Sequence, residues 1–279
     1  MFIVNLRDKK LKSFNLYLLS DAHVGRVGFV ERKLKRAIEM IKKDRKALAV
    51  VGGDMVESIM PEDKRYHPKE VIGRWANINQ QTEWCAKFLK PIKDKIICKL
   101  DGNHEEKHDL KVDITDMLLE KMNAKNIPHG GRTAKIIFSD NIKTFHTHGS
   151  GLVNSMAGDP EQRERNDAIR IKRKLMHLQG DCIIMSMEHI HKLRICKPVS
   201  RLAIVGDKPR QIYTKSEHDS TGFIDEDKRW YCSTGSFVTG YLEGVTTYVE
   251  KGMFPPTELG MIKATIKNDT VINVEKIIL

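Results

Sequence analysis

Short apolar runs that end in Gly, Asp, Asn or His alternate along the chain with longer segments whose apolar residues return at helical spacing. "SFNLYLLS" leads to "ERKLKRAIEMIKKDRK", where Leu34, Ile38 and Ile41 stand among charges, and then to the strand-like "ALAVVGGD". The pattern continues with a helix through "QQTEWCAKFLKPI", a strand "KIICKL", a helix "DITDMLLEKMN", strands "AKIIFS" and "IKTFHTHGSG", a helix "EQRERNDAIRIKRKLMHL" and a strand "CIIMSM". Strands alternating with helices predict an α/β architecture with substantial parallel pairing. "FIVNL" and "SFNLYLLS" flank the polar "RDKK" and read as a hairpin. From Ile195 onward the segments "QIYTKS", "RWYCSTGSF", "VTTYVE", "MIKATIK" and "VINVEKIIL" predict antiparallel sheet. No Ser/Gly/Pro-rich linker separates them from what precedes, so a single domain over 1–279 is expected, with a motif-bearing core at 1–194 completed by 195–279.

A chain of 279 residues, 40% hydrophobic and 30% charged, has the composition of a soluble globule able to bury a sizeable core. No apolar run approaches the roughly 18 residues of a membrane span, and the start "MFIVNLRDKK" turns charged too early for a signal-peptide core. No membrane partner and a cytoplasmic location are therefore expected, the host cytoplasm if a phage encodes the chain. Five widely spaced cysteines without a C-x-x-C pair predict reduced, mostly buried thiols. The net charge of +11 favours a polyanionic partner without identifying one.

The polar residues that close the apolar runs carry the chemistry: Asp21 and His23, Asp54, Asn103 and His104, His148, then His189 and His191. In open α/β sheets, sites gather outside the carboxyl ends of strands, so these loops can converge. In an extended segment residues i and i+2 project to one side, so Asp21 with His23, and His189 with His191, can each offer a pair of ligands. Imidazole, carboxylate and amide oxygen suit Zn, Mn or Fe, and one metal would not need so many groups. Taken singly, Asp21 is better read as a turn or cap, His23 and His148 as satisfied histidines, and Gly52–Gly53 as a tight turn unlike a P-loop. Joint occurrence at successive strand ends favours the site.

In order, "DAHVG", "GGDMVE", "GNHE", "HTHG" and "EHIH" resemble the five motifs of the calcineurin-like metallophosphoesterases, over Ser20 to Lys192. "STGSFVTGY" and "FPPTELG" are similar to the tail of the phage-encoded branch, and "DAHVG" with "EHIH" to the DNA-repair nuclease branch. The resemblance implies a four-layer αββα sandwich of two mixed sheets flanked by helices. It implies two divalent metal ions, Mn first, with Zn, Fe, Ni or Mg as alternatives. Asp21, His23 and His191 would hold one ion, Asn103, His148 and His189 the other, and Asp54 would bridge them. His146 rivals His148 for the fourth motif, but His148 directly precedes Gly149, as the family pattern has it. The implied activity is hydrolysis of a phosphate ester by a metal-bound hydroxide, with His104 as general acid or transition-state stabiliser. Glu57 matches the acidic partner that orients this histidine; a solvated helix-start carboxylate is the equal alternative. Two departures stand out. Glu188 occupies a position where the family usually has Gly, and Ser58 stands where the protein phosphatase branch carries Arg, which argues against a protein phosphatase.

Substrate has to be argued from the surroundings. Arg163, Arg165, Arg170, Lys172, Arg173 and Lys174 lie on one helical segment whose apolar face is Ala168, Ile171, Leu175 and Leu178. Its basic side is either laid along a nucleic-acid backbone or simply solvated. "SIMPEDKRYHPKEVIGRWANINQ", with Tyr66, His67, Arg74 and Trp75, can form a wall or lid with a stacking ring, or send Trp75 into the core. Gly149 to Gly151 can let backbone approach a phosphate or form a loose turn. The resulting expectation is a phosphodiesterase or nuclease with substrate contacts at Gly149, Arg163 and Arg170. The alternatives are a phosphomonoesterase acting on a nucleotide, phosphoprotein or small molecule, and a non-catalytic binding protein on the same fold.

Overall fold

The structure, a computed structural model, describes residues 1–64, 66–73, 77–106, 113–213 and 222–279. Strand β1 is Phe2–Asn5, β2 Ser13–Leu19, β3 Ala47–Val51, β4 Ile96–Lys99, β5 Thr133–Ile137, β6 Lys143–Thr147 and β7 Ile184–Met187. The later strands are β8 Leu193–Cys196, β9 Leu202–Val205, β10 Arg210–Tyr213, β11 Trp230–Thr234, β12 Gly260–Lys267 and β13 Thr270–Ile278. The helices are α1 Glu31–Lys43, α2 Ile78–Leu89, α3 Ile114–Lys121, α4 Pro160–Leu175 and the single turn α5 Tyr248–Lys251.

β2 is apolar on both faces, and that fixes its place. Leu16 and Leu18 pack into one core while Tyr17 and Leu19 pack into another. Such a strand must have a layer on each side. It is the middle strand of a five-stranded sheet ordered β13-β12-β2-β3-β4, in which β2, β3 and β4 run parallel and β12 is antiparallel to β2 and β13. The second sheet is ordered β1-β5-β6-β7-β11-β8, with β6, β7 and β11 parallel and β8 antiparallel to β11. Leu16, Leu18, Val50 and Cys98 from the first sheet meet Ala134, Ile136, Ile184 and Cys232 from the second. On the outer face of the first sheet lie Leu34, Ala37, Ile38 and Ile41 of α1 with residues of α2 and α3. Ile171 and Leu175 of α4 cover Phe145, Met185, Met187 and Tyr231 on the outer face of the second. Two mixed sheets flanked by helices make a four-layer αββα sandwich.

Helix starts follow the sequence chemistry. Asn77, Asp113 and Asp159 accept from backbone amides at the starts of α2, α3 and α4, and Pro160 occupies the first turn of α4, where a missing N–H costs nothing.

Three expectations are corrected. β1 and β2 are not a hairpin: β1 pairs parallel to β5 in the other sheet. A one-turn 3-10 helix at Arg7–Lys9 and Lys10 at φ 47° carry the chain from one sheet to the other, leaving β2 free to be covered on both sides. The "VTTYVE" segment is not a strand, because Thr247 caps the helical turn α5 through the Glu250 amide. The segment after Ile195 is not purely antiparallel, since β11 pairs parallel to β7. β9 and β10 form a separate two-stranded hairpin.

The parallel strands have one further consequence. β2, β3 and β4 on one sheet and β6 and β7 on the other end toward the same edge of the sandwich, where the five motif loops begin.

Candidate metal centre

The first-motif loop leaves β2 at Ser20 and is clamped at once. Asp21 N donates to the Gly53 carbonyl at 3.0 Å, His23 N to the Asp54 carbonyl at 2.9 Å, and Phe237 N, just beyond β11, to the Asp21 carbonyl at 3.1 Å. Asp21 (φ 51°), His23 (47°), Asp54 (52°), His189 (70°) and His191 (53°) all lie in the left-handed region. Asp, Asn and His enter that region more readily than other non-glycine residues, at about 1–3 kcal/mol each, and such positions cluster at functional sites. Asp21 and His23 come to one locus, whereas His189 and His191 face two adjoining ones, and neither pair is extended. Each of these five residues stands at a left-handed kink.

The side chains meet as two adjoining groups. In one, His23 Nε2 lies 3.1 Å from His191 Nε2, and His191 Nε2 lies 3.4 Å from Asp21 Oδ1. In the other, His148 Nε2 lies 3.1 Å from Asn103 Oδ1 and 3.4 Å from Asp54 Oδ2, and the His189 ring stands 5.2 Å from the His148 ring. Asp54 sits between the groups, its Oδ2 also 3.8 Å from His23 Nε2. Asp21, His23 and His191, and likewise Asp54, His148 and His189, are close enough to hold a metal ion. A third such cluster, His23, Glu57 and His104, is consumed by its own hydrogen bonds.

The donor set fits cations. Glu57 accepts from His23 Nδ1 at 2.7 Å, and Glu188 lies 3.2 Å from His148 Nδ1. With the proton on Nδ1, each imidazole turns the Nε2 lone pair inward, as carboxylate-backed metal-binding histidines do. Two inward nitrogens 3.1 Å apart repel unless a cation or proton stands between them. Asp21 Oδ1 is buried without a hydrogen-bond partner, an acceptor left for something other than a protein donor.

Charge balance agrees. Burial opposes ionisation of Asp21 and Asp54, yet the surrounding imidazoles hold both below the usual carboxylate range, Asp54 well below. Burial pushes His23 down to about 4, favouring the neutral ring a metal needs. His148 goes the other way: against the cost of burial, Asp54 and Glu188 raise it to about 11, so carboxylate charge here calls for a positive partner.

Glu57 is buried, which excludes the solvated helix-start reading. Its role also differs from the expectation. The carboxylate backs His23, while the Glu57 backbone carbonyl holds His104 Nδ1, whose ring otherwise lies 3.8 Å from Glu57 Oε2. His104 Nε2 stands 4.0 Å from Asp54 Oδ2. His146 lies inside the second sheet, bonded to Thr144 and Ser186 and away from the crevice; burial holds it down at about 3.

Two residues that sequence reasoning left without a role shape the site. Glu105 accepts from the Asp54, Met55 and Gly102 amides at 2.7, 2.8 and 2.9 Å, tying the second motif loop to the third, and buried Lys99 lies 3.6 Å away as counter-charge. Glu188, the departure in the fifth motif, accepts from Gly53 N at 2.7 Å. A Cβ on Gly52 would lie 2.0 Å from the Glu188 carboxylate, so Gly52 makes room for this side chain.

The proposed substrate contacts are not brought in. Arg163 and Arg170 donate to the Ala157 and Asn154 carbonyls, Lys172 pairs with Asp227, and Lys174 donates to Ser150 O. These four side chains of α4 therefore fasten neighbouring segments, Arg165 pairs with Glu161 on the helix itself, and neither Arg163, Arg170 nor Gly149 lines the crevice. Its walls carry Arg26, Lys64, Tyr66, His67, Tyr248 and Lys251 instead. Arg74 and Trp75 lie outside the described residues.

No protein-family model matches the chain, and no curated protein matches it in sequence. Among solved structures, a single-mutant Vps29 from Entamoeba histolytica is 13% identical with a TM-score of 0.39, covering 95% of this chain and 99% of its own. Vacuolar Protein Sorting 29 from Cryptosporidium parvum is 10% identical with a TM-score of 0.42, covering 96% and 99%. PhoD is 9% identical with a TM-score of 0.39, covering 96% of this chain and 69% of its own. These likenesses are loose, and the fold class rests on the strand order and layer packing above.

Proposed function

We propose that the chain is a metallophosphoesterase that uses two divalent cations, and that its substrate is a phosphodiester, with nucleic acid as the favoured polyanion. The observation that carries the reading is the convergence of inward-facing imidazole nitrogens around Asp54 and the partnerless Asp21 Oδ1, with carboxylates behind His23 and His148. Asp21, His23 and His191 would hold one ion, Asn103, His148 and His189 the other, with Asp54 shared. Such ions supply Lewis-acid activation of water and neutralise charge on the phosphoryl oxygens.

The chain's own groups do the rest. Asp54, kept ionised by the rings around it, places negative charge between the two groups. The Glu57 carbonyl accepts from His104 Nδ1–H, which turns Nε2 toward the crevice; as the imidazolium, the ring would give its Nε2 proton to a leaving oxygen and return to the neutral form. Lys64 and Lys251 on the crevice wall attract a polyanion, while Arg26 beside them is paired with Glu70. The crevice wall also includes Tyr66, His67, Leu152 and Tyr248, side chains that could meet a diester's substituents.

With Mn supplied, the purified protein is expected to hydrolyse bis(p-nitrophenyl) phosphate and an oligonucleotide, and to lose both activities in EDTA. Asp54→Asn should lower turnover on the order of a hundredfold, the scale seen when a group stabilising the reacting centre's charge is removed. Full activity in EDTA or in Asp54→Asn would refute the reading. Turnover of monoesters without any diester would move it to a phosphomonoesterase.

A further inference from the structure

A second cavity adjoins the crevice and shares Arg26, Leu152, His191 and Tyr248 with it. Its far walls come from "VTG" at 238–240 and from Val249, Phe254, Pro255, Pro256 and Thr257, a part of the chain that the five motifs do not use. The lining is mainly apolar, so a phosphate or bare sugar would lose water there without adequate replacement. Its walls bear rings. Tyr248 has the Arg26 guanidinium 5.1 Å from its ring centroid, and Pro255 and Pro256 add compact apolar ring surfaces. The neutral polar groups are Asn154, Thr239 and Thr257; the cations in the wall are already engaged, Lys192 with Val153 O and Asp167, and Arg26 with Glu70. At the junction with the crevice Leu152 is 75% exposed, an apolar side chain held out over the opening on a loop that turns at Gly151 (φ 68°).

Apolar walls bearing rings, with few polar points, suit a heteroaromatic ring better than an alkyl chain, which has no use for the polar points, or a peptide, whose backbone would need many. His191, one of the proposed metal ligands, forms part of the same wall, so a ring in this cavity belongs to a nucleotide whose phosphate lies at the metal centre. We infer that this cavity is a base-binding subsite: it takes the nucleobase attached to the phosphate that is attacked, between Tyr248, Leu152 and the 254–257 segment. The inference rests on the phosphodiesterase reading for the position of the phosphate, while the cavity's affinity for a base does not depend on catalysis.

The deciding measurement is saturation-transfer NMR with adenosine, and with ribose as control, in EDTA, where neither metal nor hydrolysis contributes. Wild type should transfer saturation to the adenine protons and not to ribose. Thr257→Trp, which fills the cavity, and Tyr248→Ala, which removes a face, should each abolish that transfer while retaining the wild-type circular dichroism spectrum. A parallel kinetic arm compares thymidine 5′-(p-nitrophenyl) phosphate with methyl p-nitrophenyl phosphate. In Thr257→Trp the ratio of their kcat/KM values should fall about tenfold, the scale of one lost base stack. Absence of adenine transfer in wild type, or equal transfer in a folded variant, overturns the subsite. Lack of turnover of both esters would instead count against the phosphodiesterase reading, and the adenosine result would still decide the cavity.

Discussion

At the scale of single residues, the centre depends as much on what stands behind the imidazoles as on the imidazoles. His23 and His148 are each backed by a buried carboxylate, Glu57 and Glu188. Glu188 also holds the Gly53 amide next to Asp54, so one side chain orients a candidate ligand in each of two motifs. Glu188→Gln keeps the shape and a hydrogen-bonding oxygen but removes the charge that favours Nδ1–H on His148. It should weaken metal binding about 10- to 100-fold, the usual effect of losing a partner behind a metal-binding histidine. Calorimetric titration with Mn reads this directly; unchanged affinity would reduce Glu188 to a space-filler. The candidate ligands themselves were legible in sequence because their types recur at strand ends. Their supporting partners were not, since Glu57 reaches His23 across 34 positions and Glu188 reaches Gly53 across 135. Nor could spacing reveal that Glu57 supports His104 through its carbonyl and not its carboxylate.

At the scale of elements, periodicity identified α1 to α4 and the buried strands because each carries its own apolar pattern. It did not say which sheet a strand joins. β1 looked like the partner of β2 because it was near in sequence, whereas pairing across some 130 positions placed it beside β5, a long-range choice that local pattern does not encode. The loops after β3 and β4 also fit together through a contact invisible in sequence. A Cβ on Gly102 would lie 2.1 Å from Asp54 Oδ1 and 2.5 Å from Asp54 N, and one on Gly53 would lie 2.3 Å from Gly102 N. The glycines of "GGD" and "GNH" are therefore the two sides of one close approach, locked by Glu105. Gly102→Ala should push the loops apart at a cost of roughly 1–3 kcal/mol, as for other overpacked sites. Urea denaturation would show the lost stability, and Mn titration a loss of affinity with it, because Asp54 must move to make room. A variant with wild-type stability and affinity would show that the loops have slack that the close approach does not suggest.

At the scale of the whole molecule, the centre lies across the open edge of the sandwich, and each sheet supplies part of it. Asp21, His23, Asp54 and Asn103 follow strands of the first sheet, while His148, His189 and His191 follow strands of the second. Both candidate ion positions draw on both sheets: Asp21 and His23 with His191 for one, Asn103 with His148 and His189 for the other. A cation bound there holds the sheets together at that edge and relieves the repulsion among buried carboxylates and inward nitrogens, so it binds the folded chain and has no equivalent in the unfolded one. Ligand linkage then sets the size of the effect, about 2.7 kcal/mol when free metal is a hundred times its dissociation constant. Thermal unfolding should accordingly move upward with Mn concentration and return to its lower value in EDTA. His191→Ala takes away the second sheet's contribution to the first ion position, and Asp21→Ala the first sheet's. Because each removes one side of the same bridge, either variant should reduce the Mn-dependent rise, and the double variant should add little to the larger single effect. Independent, additive losses would mean that the two residues serve different ions, and an unfolding temperature indifferent to Mn would mean that no cation links the sheets.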